Sequence, residues 1–291
     1  MKKKIVGYSF LFIPVTIILV TSFYPMIMSF FTSLQSGMGN NLEFVGLNNY
    51  LRLFQDPVFK TALFNTVLYL LIQVPLMIFL ALGLATLLNS SKIKYKGIFR
   101  TIIFLPCITS LIAYSVVFKS LFAPAGLINE FLLFINIIQE PIMWITDPFW
   151  SKVAIIISIT WRWTGYNMIF YLAGLQNIDP SVYEAAYLDG ANAWQKFKNI
   201  TVPLLKPIIL FTTIMSTNGT LQLFDEVVSL TNGGPGNSTL TISQYIYNLC
   251  FKYSPDFGYA ATVSYVILFI VSVLAFIQIK LSGEKNVKKN I

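Results

Sequence analysis

Long apolar runs separated by short polar breaks fill this chain, and most lack the polar stripe that a surface helix would show. The runs lie near Tyr8–Phe31, Ala62–Leu88, Ile98–Phe122, Trp150–Ala173, Leu204–Ser229 and Gly258–Ile279. Each is long enough to cross ~30 Å of hydrocarbon at ~1.5 Å rise per residue. Backbone polar groups find no water in lipid, so such runs are predicted as helices, whereas a barrel would need short alternating segments. The expected fold class is all-α and integral to the membrane, a single domain over residues 1–291 with six transmembrane helices. Met1-Lys-Lys-Lys4 before the first run resembles a signal peptide. The run is too long and has no small-residue cleavage site, so a retained helix is expected, with Pro14 and Pro25 able to kink it.

The longest segment of the second half that is not continuously apolar spans residues 174–203. Ser181 and Glu184 stand in capping-box spacing behind Asp179-Pro180, predicting a short helix that Gly190 ends in a left-handed conformation. A second short helix is expected from Ala193 to Ile200, with Pro203 and Pro207 marking entry to the next apolar run. Elsewhere, the apolar segment 123–147 predicts a short helix on the membrane surface. Residues 37–60 read as turns and amphipathic pieces rich in aromatic side chains.

Composition agrees: 56% hydrophobic and 11% charged residues, with a mean hydropathy of +0.69, exclude an ordinary soluble domain. The net charge of +8 is topological. Lys2, Lys3, Lys4, Lys92, Lys94, Lys96, Arg100, Lys196, Lys198, Lys206, Lys280, Lys285, Lys288 and Lys289 all fall on one side if the N-terminus is cytoplasmic. The opposite side and the helix ends hold only Arg52, Lys60, Lys119, Lys152, Arg162 and Lys252, so both termini are expected in the cytoplasm. Two cysteines far apart and no histidine leave no disulfide framework, metal site or histidine relay. Gly233-Gly-Pro-Gly236 is a turn, because no lysine follows to reach a phosphate; any ATP is hydrolysed on another chain.

The remaining chemistry lies inside the apolar runs. Trp161-Arg-Trp-Thr-Gly-Tyr-Asn167 places indoles, a guanidinium, a phenol and an amide within the fourth run, and Trp163, Tyr166 and Asn167 share one helical face. Ser216-Thr-Asn-Gly-Thr220 and Gln222 interrupt the fifth run, where Gly219 permits close approach or a break. Aromatic faces against sugar C–H groups, with amides and hydroxyls for the sugar hydroxyls, would make a carbohydrate site; helix packing is the other reading. Asp225 and Glu226 are expected as solvated charges at the outer end.

Glu184-Ala-Ala, Asp189-Gly190-Ala191 and Ile200-x-x-Pro203 resemble the EAA signature of the permease subunits of ATP-binding-cassette importers. Phe44-Val-Gly-Leu-Asn-Asn-Tyr50, Phe99-Arg100, Phe104-Leu-Pro106 and Thr231–Pro235 are similar to the carbohydrate branch and to its maltose-permease-like subunit. The resemblance implies the binding-protein-dependent transport fold and a sugar importer. It further implies a second homologous permease, two cytoplasmic ATPase subunits and an extracellular solute-binding protein as partners. ATP and Mg would sit on the ATPases, with no cofactor on this chain and no enzymatic activity of its own. It assigns Glu184, Ala185, Ala186, Asp189 and Gly190 to ATPase coupling. Positions around the sugar correspond to Trp163, Tyr166, Ser216, Gly219, Thr220 and Leu223; Asn167 and Gln222 join them by chemistry. Trp163, Gly219 and Leu223 depart from the maltose permease, which leaves the sugar open. A glycerol phosphate or polyol importer, an ion-coupled secondary transporter and a membrane scaffold are the alternatives.

Overall fold

The computed structural model describes residues 11–38, 41–90 and 93–281. Lys2, Lys3, Lys4, Lys92, Lys285, Lys288 and Lys289, used above for orientation, lie outside the described residues, as do residues 8–10 of the first run. The regular structure of the described residues is helical apart from one hairpin, β1 (Gln35–Met38) against β2 (Asn41–Phe44), with Gln35 opposite Phe44 and Ser36 opposite Glu43. Two compact units form, residues 1–60 with 245–270 and residues 61–244 with 271–291.

In the first unit, α1 (Leu11–Ser33) is long and apolar enough to cross a membrane. It carries a π turn at Leu19–Phe23, where the Tyr24 N–H donates to the Leu19 carbonyl five residues back. Pro25 explains the widening, because a proline ring crowds the carbonyl four residues before it. α2 (Asn48–Gln55) follows the hairpin. Asn49 is buried and donates to the Ser33 and Gln35 carbonyls at 3.0 and 2.8 Å, fastening the hairpin to the end of α1. Gly258 lies so close to this bend that a Cβ there would meet the Gln35 carbonyl oxygen at 1.9 Å. Asp56 opens α3 (Pro57–Asn89), accepting the Val58 and Phe59 amides at 2.8 and 3.2 Å and the Tyr259 hydroxyl at 2.6 Å.

In the second unit, α4 (Lys96–Ile108) and α5 (Leu111–Leu121) meet at 100°. The single span expected over residues 98–122 is therefore a bent pair. Pro106 cannot donate a helical hydrogen bond, Thr109 is extended, and the Ser110 hydroxyl caps a new helix by accepting from the Ala113 amide at 3.3 Å. The short helix expected in residues 123–147 is α6 (Leu127–Phe134), with Leu127, Phe131 and Phe134 exposed. Asn129 behind it is fully buried and uses both ends of its amide, donating to three carbonyls and accepting from the Ile142 amide and the Trp144 indole.

α7 (Pro148–Gln176) is the central element, started by Asp147 accepting from the Phe149 and Trp150 amides. Gly165 admits α4 so closely that a Cβ would meet the Ile103 carbonyl oxygen at 1.9 Å. α8 (Pro180–Leu188) and α9 (Ala193–Leu221) follow. The separate second helix expected to end at Ile200 instead continues into the fifth apolar run through a π turn at Phe197–Thr201. Pro203 follows it, as Pro25 follows the first π turn, and the same crowding accounts for both. The expected run to Ser229 breaks after Leu221 and resumes as α10 (Asp225–Leu230). The Thr241 hydroxyl donates to the Leu223 carbonyl at 2.7 Å, holding this corner. α11 (Ile242–Tyr247) and α12 (Phe257–Leu281) complete the described residues. Among the described residues α1, α3, α9 and α12 are each long and apolar enough to cross a membrane, and the α4–α5 pair makes a fifth crossing if it counts as one span.

Candidate functional site

A cavity of about 580 Å³ opens between α3, α7, α9 and the α9–α10 corner. All eight residues singled out for substrate contact, Trp163, Tyr166, Asn167, Ser216, Gly219, Thr220, Gln222 and Leu223, line it. α7 brings its residues there because Trp163, Tyr166 and Asn167 recur at three and four positions, the spacing of one helix face. The Trp163 and Tyr166 rings meet edge to face with centroids 6.0 Å apart, and Phe170 and Phe211 extend the aromatic wall.

The polar groups of this wall are held by one another. Asn167 is buried and donates to the Trp163 carbonyl and the Met77 sulfur, while its own oxygen accepts weakly from Ser216 at 3.5 Å. Thr220 donates to Gln73 Oε1 at 3.0 Å, and the Gln222 amide reaches Asn218 at 2.8 Å. Gln73 and Met77 were missed by sequence reasoning. The signal was present, since Asn65, Tyr69, Gln73 and Met77 recur every four residues along one buried face of α3.

Two expectations are corrected here. Gly219 neither breaks α9 nor admits a neighbouring helix, because a Cβ on it would find no atom within 4 Å. Its missing side chain leaves the cavity open. Glu226 is not a solvated charge: it is 7% exposed, accepts the Trp163 indole N–H at 3.3 Å and lies 3.8 Å from Arg162 Nε. The first turn of α10 points it inward, while Asp225, one residue earlier, is exposed as expected.

The loop singled out for coupling is a separate feature. Asp179, not Ser181, caps α8, accepting the Ser181 amide at 2.9 Å with Pro180 at the first helical position. That hydrogen bond holds the Asp179 carboxyl below its ordinary pKa. Gly190 ends the helix at φ +75°, its N–H donating to Tyr187 and that of Ala191 to Ala186 at 3.0 and 2.9 Å. This paired arrangement is a Schellman cap. Asn192 and Gln195 form a reciprocal capping box at the start of α9, and Tyr183 and Thr201 share a 2.9 Å hydroxyl contact that ties α8 to the π turn. Glu184, Ala185 and Asp189 are exposed and Ala186 is half-buried. Leu188, at 85% exposure, and Tyr187 and Trp194 leave a large apolar surface beside them.

Residues 77–280 match the family described as the binding-protein-dependent transport system inner membrane component. The chain is 58% identical over 282 residues to the lactose transport system permease protein LacF of Rhizobium radiobacter, covering 96% of this chain and 95% of that one. It is 36% identical to the arabinooligosaccharides transport system permease protein AraP of Bacillus subtilis, covering 97% and 90%. The fold is similar to that in the crystal structure of a bacterial transporter importing the acidic polysaccharide alginate, with a TM-score of 0.81 at 24% identity over 98% of this chain and 97% of that one. An α-helical membrane permease with a polar, aromatic-walled cavity is the class these features define. The chain belongs to the binding-protein-dependent transport system inner membrane component family.

Proposed function

We propose that this chain is one of two homologous permeases of an ATP-driven importer, and that a neutral di- or oligosaccharide crosses through the cavity between α3, α7 and α9. The observation that carries the reading is the lining: an aromatic wall from Trp163 to Phe211 faces amides and hydroxyls from Gln73, Asn167, Ser216, Thr220 and Gln222. Sugar rings need both an apolar face to stack on and polar groups for their hydroxyls. The 58% identity to a lactose transport permease makes lactose the first sugar to test. A phosphate-bearing substrate fits less well, because Arg162 is the cavity's one cation among the described residues and Glu226 lies beside it.

The reading has six spans, with α7 crossing despite Lys152 and Arg162 and the bent α4–α5 pair counted as one. Both termini lie in the cytoplasm of a bacterial cell. α8 is the coupling helix. Glu184 contacts a cytoplasmic ATPase, Ala185 and Ala186 permit close approach, Asp189 and Gly190 shape the turn, and Tyr187 and Leu188 fill the partner's cleft. Nucleotide closure of the two ATPases rocks this helix and alternates access to the cavity, which an extracellular binding protein supplies. This chain holds no nucleotide and catalyses nothing itself. The test is lactose uptake by the full importer reconstituted in vesicles, with Trp163 and Tyr166 both changed to alanine. Uptake should fall at least about tenfold, the equivalent of ~1.4 kcal/mol; unchanged uptake and preference would refute the sugar platform.

A further inference from the structure

Three charged side chains line the cavity among the described residues, Arg162, Asp225 and Glu226, giving it a formal charge of −1. Sugar stacking requires none of them. The Arg162 and Glu226 side chains are only 13% and 9% exposed, and their closest approach, 3.8 Å, is an ion pair too long for a hydrogen bond. The Glu226 oxygen nearest Arg162 takes the Trp163 indole N–H instead. Arg162 rests over the Tyr114 and Trp163 rings at 5.0 and 5.7 Å, and its buried Nε and Nη1 have no hydrogen-bond acceptor. Glu226 thus balances the guanidinium's charge while leaving donors unused.

From this arrangement we infer that Glu226 determines specificity: its carboxylate makes the cavity reject saccharides that carry a carboxylate and accept neutral ones. The inference rests on the cavity being the sugar path. A largely buried guanidinium at the cavity wall, with no hydrogen-bonded carboxylate of its own, attracts a ligand carboxylate through its charge. With Glu226 in place, an entering uronate gains one cation but meets two anions, Glu226 and Asp225. Neutral hydroxyls pay no such penalty. Glu226→Gln keeps the shape and an oxygen for the Trp163 N–H but leaves Arg162 a buried charge without its counter-ion, which a ligand carboxylate would satisfy.

The experiment is calorimetric titration of the purified membrane complex of permeases and ATPases, without the extracellular binding protein, with lactose and with a disaccharide carrying one hexuronic acid. The wild type should bind the uronate at least about tenfold more weakly than lactose, a like-charge effect at cavity distances. Glu226→Gln should reverse that order, and Glu226→Gln combined with Arg162→Gln should lose the gain. Equal binding of both sugars by the wild type overturns the inference, and that comparison stands even if Glu226→Gln fails to assemble. A folded Glu226→Gln importer with no gain for the uronate also overturns it while leaving the sugar path intact. Wild-type importer that binds neither sugar removes the sugar path itself, and the inference with it.

Discussion

Gly190 isolates backbone geometry from packing. It sits at φ +75°, and a Cβ built on it meets nothing within 4 Å. Replacement by leucine therefore introduces no clash, and its whole effect is conformational. A side chain in the left-handed region costs about 1–2 kcal/mol. Escaping that region instead breaks the Schellman pair, Gly190 to Tyr187 and Ala191 to Ala186, at about 0.5–1.5 kcal/mol for each bond. The variant takes the cheaper route, so the native turn is destabilised by about 1–2 kcal/mol, roughly a tenfold fall in its population relative to alternatives. The loop between Asp179 and Asn192 contributes little to the cores of either unit, so insertion and thermal stability of the whole chain should hardly change. The assay compares Gly190→Leu with wild type in membranes: amount inserted, ATPase subunit retained on purification, and sugar uptake per ATP hydrolysed. Retention and coupling should fall together, and Gly190→Asn, which tolerates the left-handed region, should recover much of both. Normal uptake by an inserted Gly190→Leu protein would refute the assignment of this turn to coupling.

Gly219→Leu should lower sugar uptake strongly by filling the cavity, while the helix itself gains about 0.5–1 kcal/mol from losing an interior glycine; uptake and thermal unfolding measured on the same preparation separate the two. Asn129→Ala should destabilise the α6 region by about 2–3 kcal/mol, because the groups it satisfies, including the Trp144 indole, stay buried. Hydrogen exchange localised to residues 123–147 reads that change. Burial raises the Asp56 pKa, but the Tyr245 and Tyr259 hydroxyls and the Phe59 and Val58 amides outweigh it and leave the carboxyl below its ordinary value. A depressed carboxylate stabilises the fold above its unfolded pKa of ~4 and loses that contribution as pH falls through the folded value. Asp56→Asn should therefore cost about 1 kcal/mol at neutral pH after solvent screening, and nothing once the pH is below both values, as thermal unfolding between pH 3 and pH 7 would show.

What could be read from the sequence follows the range of the interactions. The turn at Gly190 was legible because every group that makes it lies within six residues, and glycine is the residue such a turn demands. The face of Trp163, Tyr166 and Asn167 was legible because helical spacing is local too. The cap of α8 was misread by two residues because Asp179 and Ser181 can both accept an early amide. Only the chain's path, with Pro180 already helical, decides for Asp179. The bend between α4 and α5 shows the limit of hydropathy: residues 98–122 are apolar enough on average to read as one run, and that average carries no trace of the 100° turn. The information lay in Pro106 and Ser110, a stop and a start four residues apart.

Glu226 was hidden for a different reason. A carboxylate beside an aspartate, near the outer end of an apolar run, has the surroundings in sequence of a solvated charge. Its inward direction goes with α9 ending at Leu221 and α10 starting at Asp225, a corner where the Thr241 hydroxyl donates to the Leu223 carbonyl. That contact spans eighteen residues, and the Arg162 partner lies 64 positions away in the chain. Residue types along α7 and α9 are enough to predict that a polar cavity exists. Its charge balance is set by tertiary contacts, and in the inference drawn from Glu226 that balance separates a neutral sugar from an acidic one. On that inference, a permease keeps the local pattern of its aromatic wall while changing its substrate class through one buried carboxylate.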